Sequence, residues 1–243
     1  KNPDFILPKS RKNEVLSFVK SGLKDLSVSR KSFSWGIKVP NNPEHIIYVW
    51  LDALTNYLSS LNYPDQNDDL YKKYWPTSVH LIGKDILRFH AVYWPAFLLA
   101  ADIPLPKRIY GHGWILSGDE KMSKSKGNIL DPLEIIKTYG LDPLRYYLIK
   151  EVSFGSDGSI SKNRLEDTIN SDLANNFGNL CQRVTAFGEK NCSSVVPKKD
   201  EFKKEDLKIL NQFSENLENI RNAIDNQNIN FYIDFIINSL FDA

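Results

Sequence analysis

The chain has 243 residues, 42% of them apolar and 25% charged, with 31 basic side chains against 30 acidic. These proportions exclude a largely disordered chain and a strongly cationic nucleic-acid coat, though one basic loop or face could still bind nucleic acid. Two cysteines, Cys181 and Cys192, supply neither a disulfide framework nor a zinc quartet, and no apolar run approaches the roughly 18–20 residues of a membrane span. The expectation is a cytoplasmic protein with reduced thiols, no membrane segment and no metal site. Its first residue is Lys1 and its one methionine is Met122, which reads as a processed product or a piece of something longer.

Taken in chain order, residues 12–26 place Val15, Val19, Leu23 and Leu26 at helical spacing and predict a short amphipathic helix. A turn-rich stretch, 27–43, follows. Residues 46–50 form a β-branched and aromatic run that predicts a strand, leading into a helix over 52–61. The polar residues 62–69 read as a loop. A short apolar run ending in Gly83 predicts a strand over 79–83, then one long apolar helix over 84–101 and a strand over 107–114. Strand, helix and strand in that order make a βαβ unit with parallel strands.

Residues 114–127 turn to Gly, Ser and Lys and predict a loop. Two short helices follow at Asp131-Pro132 and Asp142-Pro143, each with Asp as cap and Pro at the first helical position. Residues 155–158 break the chain, and what remains is helical. Leu165, Ile169, Leu173, Phe177, Leu180, Val184 and Phe187 form one apolar stripe, Leu207 to Ile220 a second, and a third helix begins near Asn230. The fold class is therefore α/β followed by an all-α part.

The chemistry concentrates in Lys121-Met122-Ser123-Lys124-Ser125, followed by Lys126-Gly127-Asn128. Point charges, hydroxyls and exposed amides beside Gly118 and Gly127 suit a mobile loop that closes on a polyphosphate. Composition alone equally describes a solvated surface loop. The exact five-residue string, however, arises by chance in roughly one chain of this length in ten thousand.

That string is identical to the KMSKS signature of class I aminoacyl-tRNA synthetases. Residues 48–53 (YVWLDA), 80–86 (HLIGKDI), Phe89-His90, Trp94-Pro95 and Gly111-His112-Gly113 narrow the likeness. The chain resembles the methionyl-tRNA synthetase family from about residue 8 to about residue 196. The resemblance implies the second half of a Rossmann-type catalytic domain (1–114), a KMSKS and stem-contact region (115–161) and a truncated helical anticodon-binding domain (162–243).

It also implies an activity, methionine–tRNA ligation with ATP and Mg2+, and the residues that serve it. Lys124, assisted by Lys121, is expected at the transition state. Gly83, Asp85, His112, Gly113 and Ile115 are expected to bind ATP, and Trp50, Phe89, His90 and Trp94 to surround the methionine side chain. Asn179 and Arg183, one helical turn apart, are carried over to the tRNA anticodon. Read from spacing alone, the aromatics are as well explained by core packing, Asp85 by a helix cap, and Asn179 with Arg183 by an ordinary polar rim.

The family's HIGH motif, its inserted connective domain and the tryptophan that completes its anticodon site do not occur in this sequence. The chain is thus expected to be inactive alone and to lack its N-terminal half as a partner. The competing readings are another class I synthetase of the Ile/Val/Leu/Cys group, or a synthetase-derived tRNA-binding module without catalysis.

Overall fold

The computed structural model describes residues 2–118, 120–122, 129–198 and 200–241. They divide into two compact units, residues 1–112 and 113–243.

The first unit opens with β1 (Ile6–Leu7) and α1 (Lys9–Lys20), which buries Val15. Strands β2 (Ser29–Arg30), β3 (Lys38–Val39) and β4 (Asn42–Ile47) form an antiparallel sheet of order β2-β4-β3. The strand expected over 46–50 therefore ends at Ile47. Tyr48 caps α2 (Val49–Ser59), so Trp50 lies on the first turn of a helix and not on a strand. The reason is packing: Leu54 and Leu58, one turn apart on α2, are buried, and that burial outweighs the β-propensity of Val49 and Trp50. The opening helix likewise starts and stops earlier than its spacing suggested.

A short helix unforeseen in the sequence, α3 (Asp69–Tyr74), follows. Its cap is Asp68, which accepts from the Leu70 amide at 2.8 Å. Then comes β5 (Val79–Gly83). The helix expected over 84–101 is three pieces: a 3-10 turn (Lys84–Ile86), a π-helical turn (Phe89–Tyr93) and α4 (Trp94–Ala100). β6 (Arg108–His112) closes the unit. β1, β6 and β5 pair in parallel in that order, with Val79 to Gly83 in register with Arg108 to His112. The βαβ arrangement is as expected.

Two clusters hold this unit. Val15, Ile82, Leu87, Ala91, Val92 and Ile109 join α1, the π turn and the parallel sheet. Leu54, Leu58, Tyr71, Trp75, Trp94, Leu98 and Ile103 join α2, α3 and α4.

The second unit corrects the expected loop over 114–127 in its described part. β7 (Ile115–Ser117) and β8 (Glu120–Lys121) make an antiparallel pair, and β9 (Gly158–Ile160) lies parallel to β7 on its other side. α5 (Pro132–Tyr139) has the expected cap, Asp131 accepting from the Leu133 amide at 2.8 Å. α6 (Leu141–Glu151) does not: Gly140, at φ 94°, is its cap, and Asp142 lies within its first turn. α7 (Lys162–Thr168), a π-helical stretch (Ile169–Gly178) and α8 (Asn179–Cys192) follow end to end. α9 (Lys204–Asp225) and α10 (Ile229–Phe241) complete the helical part.

The core of this unit is Tyr147, Ile160 and Leu165 with their half-buried neighbours. The apolar stripe is buried at Leu165 but exposed at Phe177, Val184 and Phe187. Among the described residues, no helix is long and apolar enough to cross a membrane.

Candidate functional site

In a parallel sheet, ligands meet the carboxyl ends of the strands, where loops diverge and backbone amides are free to turn outward. Gly83 ends β5, and its register partner on β6 is His112. A Cβ on Gly83 would sit 2.5 Å from Asp85 Oδ1 and 4.0 Å from His112 Cε1. Three residues named from sequence are thus drawn together at one crevice. The Asp85 carboxylate folds back over the glycine from the 3-10 turn. Asp85 is not the helix cap; Gly83 is.

A ring cluster joins α2 to the π-helical turn that follows β5. Trp50 stacks on Phe89 with centroids 4.0 Å apart and planes 10° from parallel. His90 meets the edge of Trp50 at 6.0 Å and 81°. His90 Nδ1 lies 3.1 Å from the Ile86 carbonyl, and its Nε2 lies 3.0 Å from the Tyr57 hydroxyl. A carbonyl only accepts, so Nδ1 carries the proton and Nε2 accepts from Tyr57. Burial lowers the His90 pKa, which keeps the ring neutral.

Trp94 is 2% exposed and belongs to the core behind these rings. The structure therefore brings Trp50, Phe89 and His90 into direct contact and places Trp94 one layer deeper.

Two members of the cluster were missed in the sequence. Tyr57 is two helical turns from Trp50, and that spacing was the available signal. His80 precedes Ile82 on the buried face of β5, an alternation the apolar run concealed.

In the second unit, Gly113 is held against the backbone. A Cβ there would lie 2.2 Å from the Ser156 carbonyl and 2.4 Å from the Asp157 nitrogen. The Trp114 amide donates to Asp157 Oδ1 at 2.9 Å, and the Gly158 amide to the Trp114 carbonyl at 2.9 Å. Ile115 starts β7 opposite Gly158 and is 41% exposed. Lys121 ends β8, and Met122 packs against the core of Tyr147, Ile160 and Leu165. Ser123, Lys124 and Ser125, with Lys126, Gly127 and Asn128, lie outside the described residues.

Asn179 and Arg183 both line a groove of about 410 Å3 on α8, together with Asn175, Asn176, Phe187 and Leu240. Asn179 Nδ2 donates to the Asn175 carbonyl at 2.9 Å, while the buried Asn176 side chain donates to the Ile237 carbonyl at 3.2 Å. The groove thus offers an exposed amide and a guanidinium over an apolar floor. No group of three or more His, Cys, Asp or Glu able to hold a metal occurs among the described residues.

The sequence profile of the family described as tRNA synthetases class I (M) matches residues 1–185. The chain belongs to this family. The methionine–tRNA ligase of Brucella suis is 54% identical over 226 residues, covering 93% of this chain and 44% of that protein. The ligase of Mycobacterium tuberculosis is 50% identical over 242 residues, covering 100% of this chain and 47% of that protein. Among solved structures, M. tuberculosis methionyl-tRNA synthetase in complex with methionyl-adenylate superposes with a TM-score of 0.94 at 50% identity, over 99% of this chain and 47% of that one. The free M. tuberculosis synthetase gives 0.91 at 46% identity. This class I synthetase chain therefore spans rather less than half the length of the relatives it matches. Its α/β unit followed by helices is the family's architecture, seen here at close to 50% identity throughout.

Proposed function

We propose that this chain serves a methionine–tRNA ligase, which joins methionine to ATP as methionyl-adenylate, releases pyrophosphate, and passes methionine to its tRNA. The observation that carries the reading is the Trp50–Phe89–His90 ring cluster, in which Phe89 follows Asp85 by four residues after the carboxyl end of β5. We read these rings as one wall of a methionine slot, since aromatic faces suit a polarizable thioether, each sulfur–aromatic contact contributing about 0.3–1.5 kcal/mol.

The chemistry asks little acid–base work of the protein. The attacking amino-acid carboxylate arrives ionised, so no general base is needed. What must be supplied is positive charge and hydrogen-bond donors for the phosphates as pyrophosphate departs. Asp85 accepts from a ribose hydroxyl, and Gly83 lets the nucleotide approach the backbone. Gly113 and Ile115 are assigned to ATP on the resemblance alone, as are Lys121 and Lys124 to the transition state. Mg2+ would arrive on the ATP phosphates, as part of the substrate.

Asn179 and Arg183 read single-stranded anticodon bases, by edge hydrogen bonds and guanidinium stacking in the α8 groove. The functional division is then 1–114 for catalysis, 115–161 for the lysine loop and stem contact, and 162–243 for the anticodon. A cytoplasmic location follows from that role.

Isothermal titration of the chain with methionine, ATP and their mixture tests the reading. Saturable methionine binding that is lost in Trp50→Ala is the expected result. Equal uptake of methionine by wild type and variant, or none by either at millimolar concentration, would overturn the slot.

A further inference from the structure

His80 has no part in the roles assigned so far, yet it is 5% exposed and lies at the centre of the ring cluster. Its face stacks on Tyr57 at 4.1 Å and 18°. Its Nε2 lies 3.2 Å from the Trp94 indole nitrogen. An indole N–H only donates, so Nε2 is the bare nitrogen and the proton resides on Nδ1. Burial first, and the neighbouring His90 second, hold the imidazole pKa down to about 4. The ring is therefore a neutral acceptor across the physiological range.

The polarity of the whole cluster follows. Trp94 donates to His80, the His80 face supports Tyr57, Tyr57 donates to His90, and His90 donates to the Ile86 carbonyl. The Trp94 indole N–H, the Tyr57 hydroxyl and the His90 Nδ1–H each have an acceptor, and only one tautomer of each histidine allows all three. A cation at position 80 would set a donor against the Trp94 donor. An apolar side chain would leave that indole N–H without its acceptor.

We propose that His80 is a positioning residue of the ring slot. It anchors the Trp94 indole and the Tyr57 ring, and through Tyr57 it fixes the orientation of His90 against Trp50 and Phe89. The proposal rests on reading that slot as the methionine site, and it extends that reading to a residue that lies behind the slot wall. A histidine that merely filled core volume could be replaced by any ring of similar size without effect on ligand binding. A positioning residue could not.

The test compares wild type with His80→Phe, which keeps a ring and removes the acceptor, and His80→Gln, whose amide oxygen restores one. Methionine and ATP affinities are read by calorimetry, and the Trp94 indole and His90 imidazole resonances by 15N-edited NMR. His80→Phe is expected to shift both resonances and to weaken methionine binding about tenfold, with ATP affinity unchanged. His80→Gln should recover most of that loss.

Wild-type methionine affinity in His80→Phe, or a His80→Gln no better than His80→Phe, would overturn the proposal. Should His80→Phe fail to fold, titration of the wild-type imidazoles decides: a His80 ring doubly protonated at pH 6 removes the acceptor and the proposal with it. A wild type that binds no methionine overturns the slot reading instead, and the Trp94 and His90 resonances then still report whether His80 orders the rings.

Discussion

Trp50 and Trp94 look equivalent in the sequence, as tryptophans that core packing and the resemblance explain alike, but the fold separates them. Trp94 is buried among Leu54, Leu58, Trp75 and Leu98, whereas Trp50 is only half-buried and stacks on Phe89. Trp94→Ala should therefore cost about 3–5 kcal/mol of stability, measured by urea unfolding, whatever it does to ligands. Trp50→Ala should cost less stability and weaken methionine binding much more than ATP binding. Helical spacing did reveal that Phe89, His90 and Trp94 share one region. The same spacing on α2 offered Tyr57, but its bond to His90 and that of His80 to Trp94 exist only in contacts across 33 and 14 residues of chain. Lys124 is assigned on the opposite ground, a sequence signature formed by its neighbours in the chain. Restored to the length of its relatives and tested in pyrophosphate exchange, Lys124→Ala should slow adenylate formation by two to three orders of magnitude, roughly what one transition-state contact supplies. Methionine binding should change little, and unaltered exchange would sink the assignment.

At the scale of elements, the strongest sequence signals were the parallel strands β5 and β6 and the capped helix α5. Each declares itself locally, by an apolar run or by an Asp-Pro cap. Errors arose where tertiary contact overrode local preference, as at the start of α2, or where two or three residues sufficed for a strand, as in β7 and β8. Both π-helical stretches escaped notice, since they keep helical periodicity. One contains Phe89 and His90, and the other runs directly into Asn179, in keeping with the use of π turns to re-aim side chains.

A third device joins α10 to α6. The two N–H groups of Asn230 Nδ2 are shared among the carbonyls of Ile149, Lys150 and Val152 at 2.7, 3.0 and 3.2 Å, while its Oδ1 accepts from the Phe154 amide at 2.8 Å. It therefore satisfies the carbonyls that the end of α6 leaves open. Asn230→Ala should lower stability by about 1–3 kcal/mol, and Asn230→Asp by more, because it sets a negative charge at the negative end of a helix. Thermal unfolding of the two variants checks the order. Gly113→Ala tests the other junction. Its methyl would overlap the Ser156 backbone, and a loss of about 1–3 kcal/mol, with weakened protection of the β7 and β9 amides, is expected.

At the scale of the whole molecule, charge is nearly balanced, yet its titration is not evenly shared. All four histidines, His45, His80, His90 and His112, fall within residues 1–112, as do four of the five tryptophans. His80 is held to about 4 and His90 is also lowered, in both cases chiefly by burial. A folded value below the unfolded one means that the unfolded chain binds more protons between them. The stability these groups confer is whole above about pH 6.5 and drains away as pH falls toward 4. Asp68, lowered by the Leu70 amide and Asn62, acts in the same sense but only below the ordinary carboxylate range. The interval from 6.5 to 4 thus isolates the histidines from this carboxylate. Urea unfolding followed by tryptophan fluorescence reports mainly on the first unit. Between pH 7.5 and pH 5 it should show a loss of about 2 kcal/mol from His80, increased by His90. His80→Gln should remove most of that slope, since its amide accepts from Trp94 without taking a proton. If variant and wild type lost stability in parallel over this interval, the neutral imidazole would not be what acid attacks, and the polarity assigned to the ring cluster would fail with it.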